Sequence, residues 1–558
     1  MSRSSAPVRD PVLTISVAPG PAMSHAARQE ADAVRDRIED ELAALMQELG
    51  IPGRPSVELE LAPASGQDAV AISLRVDGTP YRLPNELVLQ AFAYVSGSPS
   101  VPLRLPARGD SFTPEKDLGP TSGPVDDQAA PADPWDGRAA EALALTCRLA
   151  VAGGPGVLLT AAQGRHYRDQ LELSETLTID RTSEVLRAVL DLGLSIADRD
   201  TVRRVLADGV ASDVGNQELV EGLVDALAPD LVELRLHSDL LPQVTTDNAH
   251  RGAETMAFLR DGLFVELGLN LPSFRFRSDP SLRPGGFAFK INHVATPPMI
   301  GLPPERVLVN DTAEHLALLG IDAVPTLNPA TWQPGSLAGH EHKELLESAG
   351  LTTWDQLGYL VLSLAHELRM HAYALVHGRL ADHELEKLGT VFPDLERLAR
   401  ARIPLDVLST VFRDLLRDLV SIRNLPRILE LLLEYETTDG REPPTDRLTF
   451  VRAGLAEQIA SMTSRGTATT VVYLLDPEIE TAVAQREDRL PERLGDALHA
   501  EMAHLPPTAT RPWVLTEDGL RGSVRAILRR EFPRVGVVSY SDLPPNHNVQ
   551  PLARISWR

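Results

Sequence analysis

The sequence predicts an α+β multidomain protein in which a small α+β unit and a helical unit occur twice, with an α/β subdomain after the second copy. Two observations predict the duplication. A helix-hairpin pattern recurs without a gap, and short runs of alternating apolar residues precede it each time. A third observation, strand and helix patterns that alternate over residues 465–558, predicts the terminal subdomain.

The hairpin pattern lies at residues 403–432 and returns at residues 177–206. Apolar residues recur at helical spacing in the hairpin, which predicts a stripe that is buried against other elements. The two segments align end to end at a spacing of 406 − 180 = 226 residues. The shared positions are Asp180 and Asp406, Ser183 and Ser409, Val185 and Val411, Arg187 and Arg413, Leu190 and Leu416, Ser195 and Ser421, and Ile196 and Ile422.

The start of the second hairpin helix differs between the copies. In the first copy, Ser195 followed by Asp198 predicts an N-cap with an acidic residue in the first turn. In the second copy, Asn424 takes the place of the acid and Pro426 follows, so Asn424 is the predicted cap.

The elements before each hairpin also match at a steady offset. The segments at 13–17 and 231–236 alternate as strands, and each is followed by an amphipathic helix that ends in Glu-Leu-Gly. Trp135 and Trp354 each precede an aspartate and lie 354 − 135 = 219 residues apart. This offset indicates a tandem duplication whose period is longer than that of solenoid repeats.

Composition and pattern divide the chain into seven segments. The second of these is rich in Pro, Gly, Ser and Asp, which predicts a solvated linker where the second copy has an insert. The predicted segments are a first α+β unit at 11–95, a linker at 96–134, a first helical unit at 135–228, a second α+β unit at 231–310, an inserted small subdomain at 311–350, a second helical unit at 351–460 and a C-terminal α/β subdomain at 465–558.

Composition excludes several classes of protein. The 54 basic and 78 acidic residues give a net charge of −24, which disfavours binding to nucleic acid and to anionic membrane surfaces. The single cysteine, Cys147, excludes a disulfide framework and is typical of a reducing compartment, so we expect a cytoplasmic location. No signal peptide is predicted, and the most apolar stretch, 139–162, is interrupted by Arg148 and a glycine-rich turn, so no membrane span is predicted.

Candidate catalytic and metal motifs fail on spacing or context. The histidines of His366–His371 are five positions apart, about 140° around a helix, whereas a zinc helix needs them four apart on one face. The glycine-rich turn at 153–156 lacks the Lys and Ser/Thr of a phosphate loop, and no serine lies in a nucleophile elbow. We therefore expect no active site, no metal and no cofactor. A deep pocket with converging titratable residues would favour an enzyme instead.

The second copy resembles the cytosolic domain of the FHIPEP family, the export-gate proteins of flagella and type III secretion. The motifs follow the family's order over residues 231–558, and residues 1–230 match as a degenerate copy of the second half. The motifs are the Val-Ser-Ile-Arg step at 420–423 with the leucine-rich run at 428–432, and the segments at 318–334, 350–368, 471–480 and 535–556.

The resemblance implies a ring-forming platform whose hydrophobic dimple receives export chaperones with their cargo. Carried over residue by residue, the dimple falls on Asn328 (an acid in the family), Thr331 (an aromatic) and Ser363 (a threonine). Trp332, beside Thr331, is a candidate replacement for the aromatic residue. The resemblance thus predicts a partner-binding groove between the second α+β unit and the insert. It also implies an N-terminal membrane half, which no stretch of this sequence is predicted to supply.

The functional prediction is a non-catalytic protein-binding platform with a role in protein secretion or export-substrate docking. The expected partners are proteins, either export chaperone-like or membrane export components, and a homo-oligomer is a further hypothesis. Two alternatives are the scaffold of a soluble regulatory or defence-type complex and a self-assembling ring component unrelated to secretion. The first copy, whose linker replaces the insert, is expected to have a structural role only.

Overall fold

The structure, a computed structural model, is a mixed α+β protein with several small sheets, as the sequence predicts. It divides into two compact units: residues up to Met256 with Pro272–Glu367, and Ala257–Leu271 with the residues from Leu368 onward. Within the part of the chain that is described, no helix combines the length and the apolar character that a membrane span requires. The described residues are 12–18, 31–60, 73–83, 85–101, 138–171, 177–241, 249–436, 446–487, 490–502, 513–532 and 534–557.

Each repeat begins with a small sheet. The strands of the first sheet are β1 (Val12–Ala18), β2 (Arg54–Leu59), β3 (Ser73–Val76) and β4 (Thr79–Arg82); those of the second are β5 (Val232–Leu236), β6 (Phe274–Ser278), β7 (Gly286–Ile291), β8 (Val294–Ala295) and β9 (Met299–Ile300). In the first sheet β1 pairs in parallel with β2 and antiparallel with β3, and β3 pairs antiparallel with β4. The second sheet repeats this arrangement with β5, β6, β7 and β8, and β9 adds to β7. The shared topology confirms the predicted duplication.

Helices make up most of the rest of each repeat. In the described part of the first repeat they are α1 (Ala31–Leu49), α2 (Asn85–Val95), α3 (Ala139–Ala152), α4 (Ala161–Leu171), α5 (Ile179–Asp191), α6 (Arg199–Ala211) and α7 (Asn216–Leu227). In the described part of the second repeat they are α8 (Ala249–Leu267), α9 (Ala313–Leu318), α10 (Lys343–Ser348), α11 (Gln356–His371), α12 (Gly378–Gly389), α13 (Pro393–Arg402), α14 (Leu405–Arg417), α15 (Leu425–Glu436), α16 (Arg447–Gly454) and α17 (Ala456–Thr463). The predicted hairpins are α5–α6 and α14–α15.

The loop of each hairpin packs on the end of the repeat's first long helix. In the first repeat, the Ile196 amide donates to the Leu49 carbonyl of α1 at 2.9 Å, and in the second the Ile422 amide donates to the Leu267 carbonyl of α8 at 2.9 Å. The residue after each helix, Gly50 or Gly268, has a positive φ. In addition, a Cβ at either position would lie within 2.4 Å of loop backbone, so only glycine fits. The Ser-Ile step and the terminal Glu-Leu-Gly therefore form one repeated contact.

Ser195 acts in this loop and is not a helix cap. Its hydroxyl donates to the Glu48 carbonyl at the end of α1 at 2.8 Å. The N-cap of α6 is Asp198, whose carboxylate accepts from the Thr201 amide at 3.1 Å. The prediction of Ser195 as the cap was therefore wrong, because its hydroxyl is used by the other helix. In the second repeat α15 begins directly after Asn424, as predicted.

The inserted part is an antiparallel sheet with two short helices on it. Its strands are β10 (Arg306–Val309), β11 (Ala323–Leu327), β12 (Pro334–Gly339) and β13 (Thr353–Trp354). They lie in the order β11-β12-β10-β13, so β11 and β13 are the edges. Leu316 of α9 and Leu346 of α10 are buried against Val307 and Val309 of β10. The sheet thus takes strands from both sides of residues 311–350.

The C-terminal part has the predicted α/β character, and its sheet is parallel and covered by helices. Its strands are β14 (Thr469–Leu475), β15 (Trp513–Thr516), β16 (Val537–Ser539) and β17 (Asn548–Ile555), and its helices are α18 (Pro477–Gln485), α19 (Leu490–Met502) and α20 (Arg521–Glu531). The strand order is β16-β15-β14-β17, with every pair parallel. Such a sheet needs apolar residues on both faces, and the buried residues of the helices and strands form one cluster.

A buried ion network joins the C-terminal part to the helical unit. The Arg452 guanidinium of α16 makes two hydrogen bonds to the Asp542 carboxylate, at 2.9 and 2.7 Å, and a 3.2 Å ion pair with Asp418. Arg521 and Arg525 of α20 also bind Asp418. Burial raises the pKa of Asp418, but the three guanidinium groups outweigh burial and hold that pKa below its usual range. All five charges therefore depend on one another.

The glycine contact predicts a matched set of substitutions. Gly50→Ala and Gly268→Ala should each lower the free energy of unfolding by more than about 2 kcal/mol, because the new methyl group overlaps loop backbone at a left-handed residue. Gly78→Ala is the control, since its φ of +79° is equally positive but nothing lies within 4 Å of its Cβ position. It should cost about 1 kcal/mol. Urea unfolding followed by circular dichroism measures all three, and equal losses would contradict the contact.

The ion network predicts a pH dependence. A carboxyl whose pKa is depressed by folding stabilises the protein above its unfolded pKa of about 3.9, and loses that contribution as the pH falls through the folded value. Asp418→Asn should therefore cost about 3–5 kcal/mol at pH 7, and the difference from wild type should shrink below about pH 4. Urea unfolding at a series of pH values measures it.

Asp414, on α14 and four residues before Asp418, is the control because burial raises its pKa. A raised carboxyl pKa disfavours the ionised form, so Asp414→Asn should cost little at neutral pH. Equal losses from the two substitutions at pH 7, or a loss at Asp418 that does not change with pH, would contradict this account.

Candidate functional site

The turn between β11 and β12 holds three of the four residues predicted to bind a partner. Asn328 is 2% exposed, and its side-chain oxygen accepts from the Ala330 amide at 2.9 Å and the Thr331 amide at 3.3 Å. The Trp332 amide donates to the Asn328 carbonyl at 2.7 Å, with Trp332 at a φ of +56°. A left-handed tryptophan is costly, so surrounding contacts hold this turn in one conformation.

Helix α11 anchors the turn from the other side. The His366 ring nitrogen Nδ1 lies 3.2 Å from the Ala330 carbonyl oxygen, so a proton on Nδ1 donates to that carbonyl. Ser363, one turn earlier, is 1% exposed and donates to the Tyr359 carbonyl at 2.8 Å. The structure therefore brings the turn against α11, the helix that also carries Ser363, with a groove between the insert and α11.

The four predicted residues differ in what they present to solvent. Thr331 is exposed, whereas Asn328, Trp332 and Ser363 are buried. Residues 98–101 of the first repeat, which follow α2, lie in the groove between the insert and α11. The Ser100 hydroxyl donates to the Pro325 carbonyl at 3.0 Å. The groove is thus partly filled.

The start of the predicted linker differs from the expectation of a solvated segment. Residues 98–101 are all buried, because they bond to β11 and α11 rather than to water. The sequence contains no signal for this contact, since the paired residues are 225 positions apart. Most of the linker, and Trp135, lie outside the described residues.

The histidines of α11 and of the segment that follows it make other contacts. His366 contacts the turn, the His371 ring packs against the Tyr373 ring, and the His377 side chain caps α12 by accepting from the Leu380 amide at 3.3 Å. Among the described residues, no three His, Cys, Asp or Glu side chains are grouped so that they could hold a metal ion.

A polar cavity of about 470 Å³ lies between the first helical unit and the second sheet. Its lining includes Glu48, Ser195, Lys290 and His293. Burial lowers the pKa of Lys290, and burial together with Lys290 lowers the pKa of His293. Ser195 and His293 do not form a nucleophile–base pair: the Ser195 hydroxyl donates to the Glu48 carbonyl, and His293 Nδ1 accepts from the Ser195 amide at 3.1 Å.

Comparisons with solved structures show that more than half of this chain shares a known fold. The CdsV protein of Chlamydia pneumoniae matches with a TM-score of 0.53 and 26% identity, over 58% of this chain and 98% of that chain. A structure of the Chlamydia pneumoniae CdsV and CdsO complex matches with a TM-score of 0.51 and 27% identity, over 58% of this chain and 97% of that chain.

Sequence comparisons agree. The flagellar biosynthesis protein FlhA of Bacillus subtilis is 25% identical over 377 residues, which cover 64% of this chain and 54% of the relative. The low calcium response locus protein D of Yersinia pestis is 24% identical over 311 residues, which cover 53% of this chain and 44% of the relative. The chain spans about half the length of the curated relatives it matches.

The family model matches residues 202–548, which is 347 of 558 positions and runs from α6 into β17. The matched region contains the second hairpin, the insert with its turn at Asn328, and β14, β15 and β16 of the C-terminal sheet. More than half of the sequence, together with the fold shared with CdsV, thus leads to one conclusion: the chain belongs to the FHIPEP family.

Proposed function

We propose that this chain is a non-catalytic protein-binding platform in protein secretion, on which export substrates or the proteins that carry them dock. The observation that carries the proposal is the family match over residues 202–548. The shared fold supports it, because nearly the whole solved CdsV chain has a counterpart here. CdsV itself is also known in a complex with a second protein, CdsO, which is the kind of interaction proposed.

The proposed docking face is formed by Asn328, Thr331, Trp332 and Ser363. Thr331 is the exposed member, so it is the residue proposed to contact the partner directly. Asn328 and Ser363 are positioning residues, because the polar group of Asn328 is bonded within the turn and that of Ser363 within α11. A turn anchored on both sides presents a surface of fixed shape, which lowers the ordering cost of association.

A binding role without catalysis fits the chemistry of the polar cavity. Its serine and its histidine are each bonded to backbone groups, so neither activates the other. We propose that partners are export chaperone-like proteins or membrane export components, and that the chain also associates with copies of itself.

The proposal is tested by capture of the tagged full chain from its native cell, with mass spectrometry and light scattering of the eluate. Recovery of membrane export components in a large complex is the expected outcome. Recovery of only soluble signalling or regulatory proteins would contradict a role in secretion, and would favour a scaffold of another complex.

A matched pair of substitutions locates the docking face. Thr331→Arg should reduce recovery of the partner at least tenfold, since it adds a charged side chain where the partner packs; tenfold corresponds to about 1.4 kcal/mol of binding free energy. Thr352→Arg is the control, because Thr352 is also exposed and lies beside β13, the opposite edge of the same sheet. Quantitative mass spectrometry of the two eluates measures the difference. Equal recovery from both variants would exclude this face.

A further inference from the structure

Residues 98–101 have no regular secondary structure, yet all four are buried. Irregular connections normally run over the protein surface in contact with water, because their backbone groups need partners. Here β11 and the segment itself supply the partners. The Val101 amide donates to the Thr326 hydroxyl at 3.1 Å, and the Ser100 amide donates to the Ser98 hydroxyl at 3.1 Å. The segment therefore fills a groove.

One wall of this groove is the edge strand β11. An edge strand presents backbone groups that another extended segment can bind. Pro325 in the middle of β11 has no N–H group, and its carbonyl accepts from the Ser100 hydroxyl at 3.0 Å. Residues 98–101 therefore bind the edge through a hydroxyl donor and one backbone amide, and they do not extend the sheet.

The other wall is α11. The Tyr359 hydroxyl donates to the Pro99 carbonyl at 3.4 Å, and the Tyr359 carbonyl accepts from Ser363 of the proposed docking face. On the first wall, Thr326 precedes Asn328 of the same face by two residues. Residues 98–101 thus lie between β11, which leads into the turn at Asn328, and α11, which carries Ser363.

We propose that residues 98–101 are an internal occupant of the docking groove, and that the partner is an extended polypeptide segment that replaces them. This inference rests on the proposed function. It adds three groups to the binding site. The Pro325 carbonyl accepts from a hydroxyl, the Thr326 hydroxyl accepts from a backbone amide, and the Tyr359 hydroxyl donates to a backbone carbonyl. It also gives the first repeat a regulatory role, because a partner binds only the fraction of molecules in which the groove is open.

Few hydrogen bonds hold the occupant, so it can leave the groove without global unfolding. The chain linkage keeps it at a high effective concentration, which a free ligand must overcome. We expect the open fraction to be about one in a hundred, and the apparent affinity for a competing segment to be lower by about a hundredfold.

The first test uses a labelled peptide with the sequence of residues 94–101 and the full-length chain, by fluorescence anisotropy. Ser100→Asp/Val101→Asp should displace the occupant, because both residues are at most 6% exposed and a carboxylate there lacks a partner. The peptide should bind this variant at least tenfold more tightly than wild type. A peptide with Val101→Asp and a chain with Thr352→Asp are the matched controls. Equal binding to variant and wild type, or no binding to the folded variant, would overturn the proposal.

A second test keeps the occupant intact and therefore does not depend on the folding of that variant. Thr326→Cys should react with a maleimide at about one hundredth of the rate of Thr331→Cys, because Thr326 is fully buried while Thr331 is exposed. Cys147 does not interfere, since it is buried and burial raises its pKa to about 12. Equal rates would mean that the groove is open, and no reaction over hours would mean that the segment is permanent. Either result overturns the proposal.

Neither test uses a cellular partner. Their failure would leave the docking platform standing with an empty or permanently covered groove. A failed capture experiment, with both tests positive, would instead show an exchangeable segment whose partner lies outside secretion.

Discussion

The structure depends on one contact that occurs once in each repeat. An isoleucine amide in the hairpin loop, of Ile196 or Ile422, donates to the last carbonyl of the repeat's first long helix, α1 or α8. The glycine after that helix allows the loop to approach, because any side chain there would overlap the loop backbone. Ser195 and Ser421 stabilise the loop in the same way, each by accepting an amide two residues further on. A helical hairpin is thereby fixed to an α+β unit in each repeat.

In the first repeat the same loop also binds the second sheet. The Ser195 amide donates to the His293 ring, and the His293 amide donates to the Gly193 carbonyl at 3.3 Å. In the loop between β6 and β7 of that sheet, the Arg283 amide donates to the Tyr94 hydroxyl of α2 at 2.9 Å. These bonds place the end of α2 beside the insert, so residues 98–101 reach the groove. The duplication has thus supplied a fixed support for the segment that fills the proposed docking groove.

Much of this fold could be predicted from the sequence, since apolar periodicity and the steady offset depend on local pattern. The hairpins, the first strand of each repeat and the alternating strands and helices of the terminal subdomain follow from it. The cap at Asp198 was missed because the choice between two polar residues depends on which hydroxyl another helix uses. The occupant was missed because its polar contacts join residues 225 positions apart. The orientation of the Asn328 side chain, by contrast, is local, because its oxygen accepts from amides two and three residues further on.

The most direct measurement is hydrogen exchange at the Val101 amide in the free, full-length chain. This amide has a defined acceptor, the Thr326 hydroxyl, only while the segment occupies the groove. The account predicts exchange about a hundredfold slower than in an unstructured peptide, and faster than that of the core amides of β10. Exchange at the unstructured rate would show that the groove is empty in the free protein and would contradict the account.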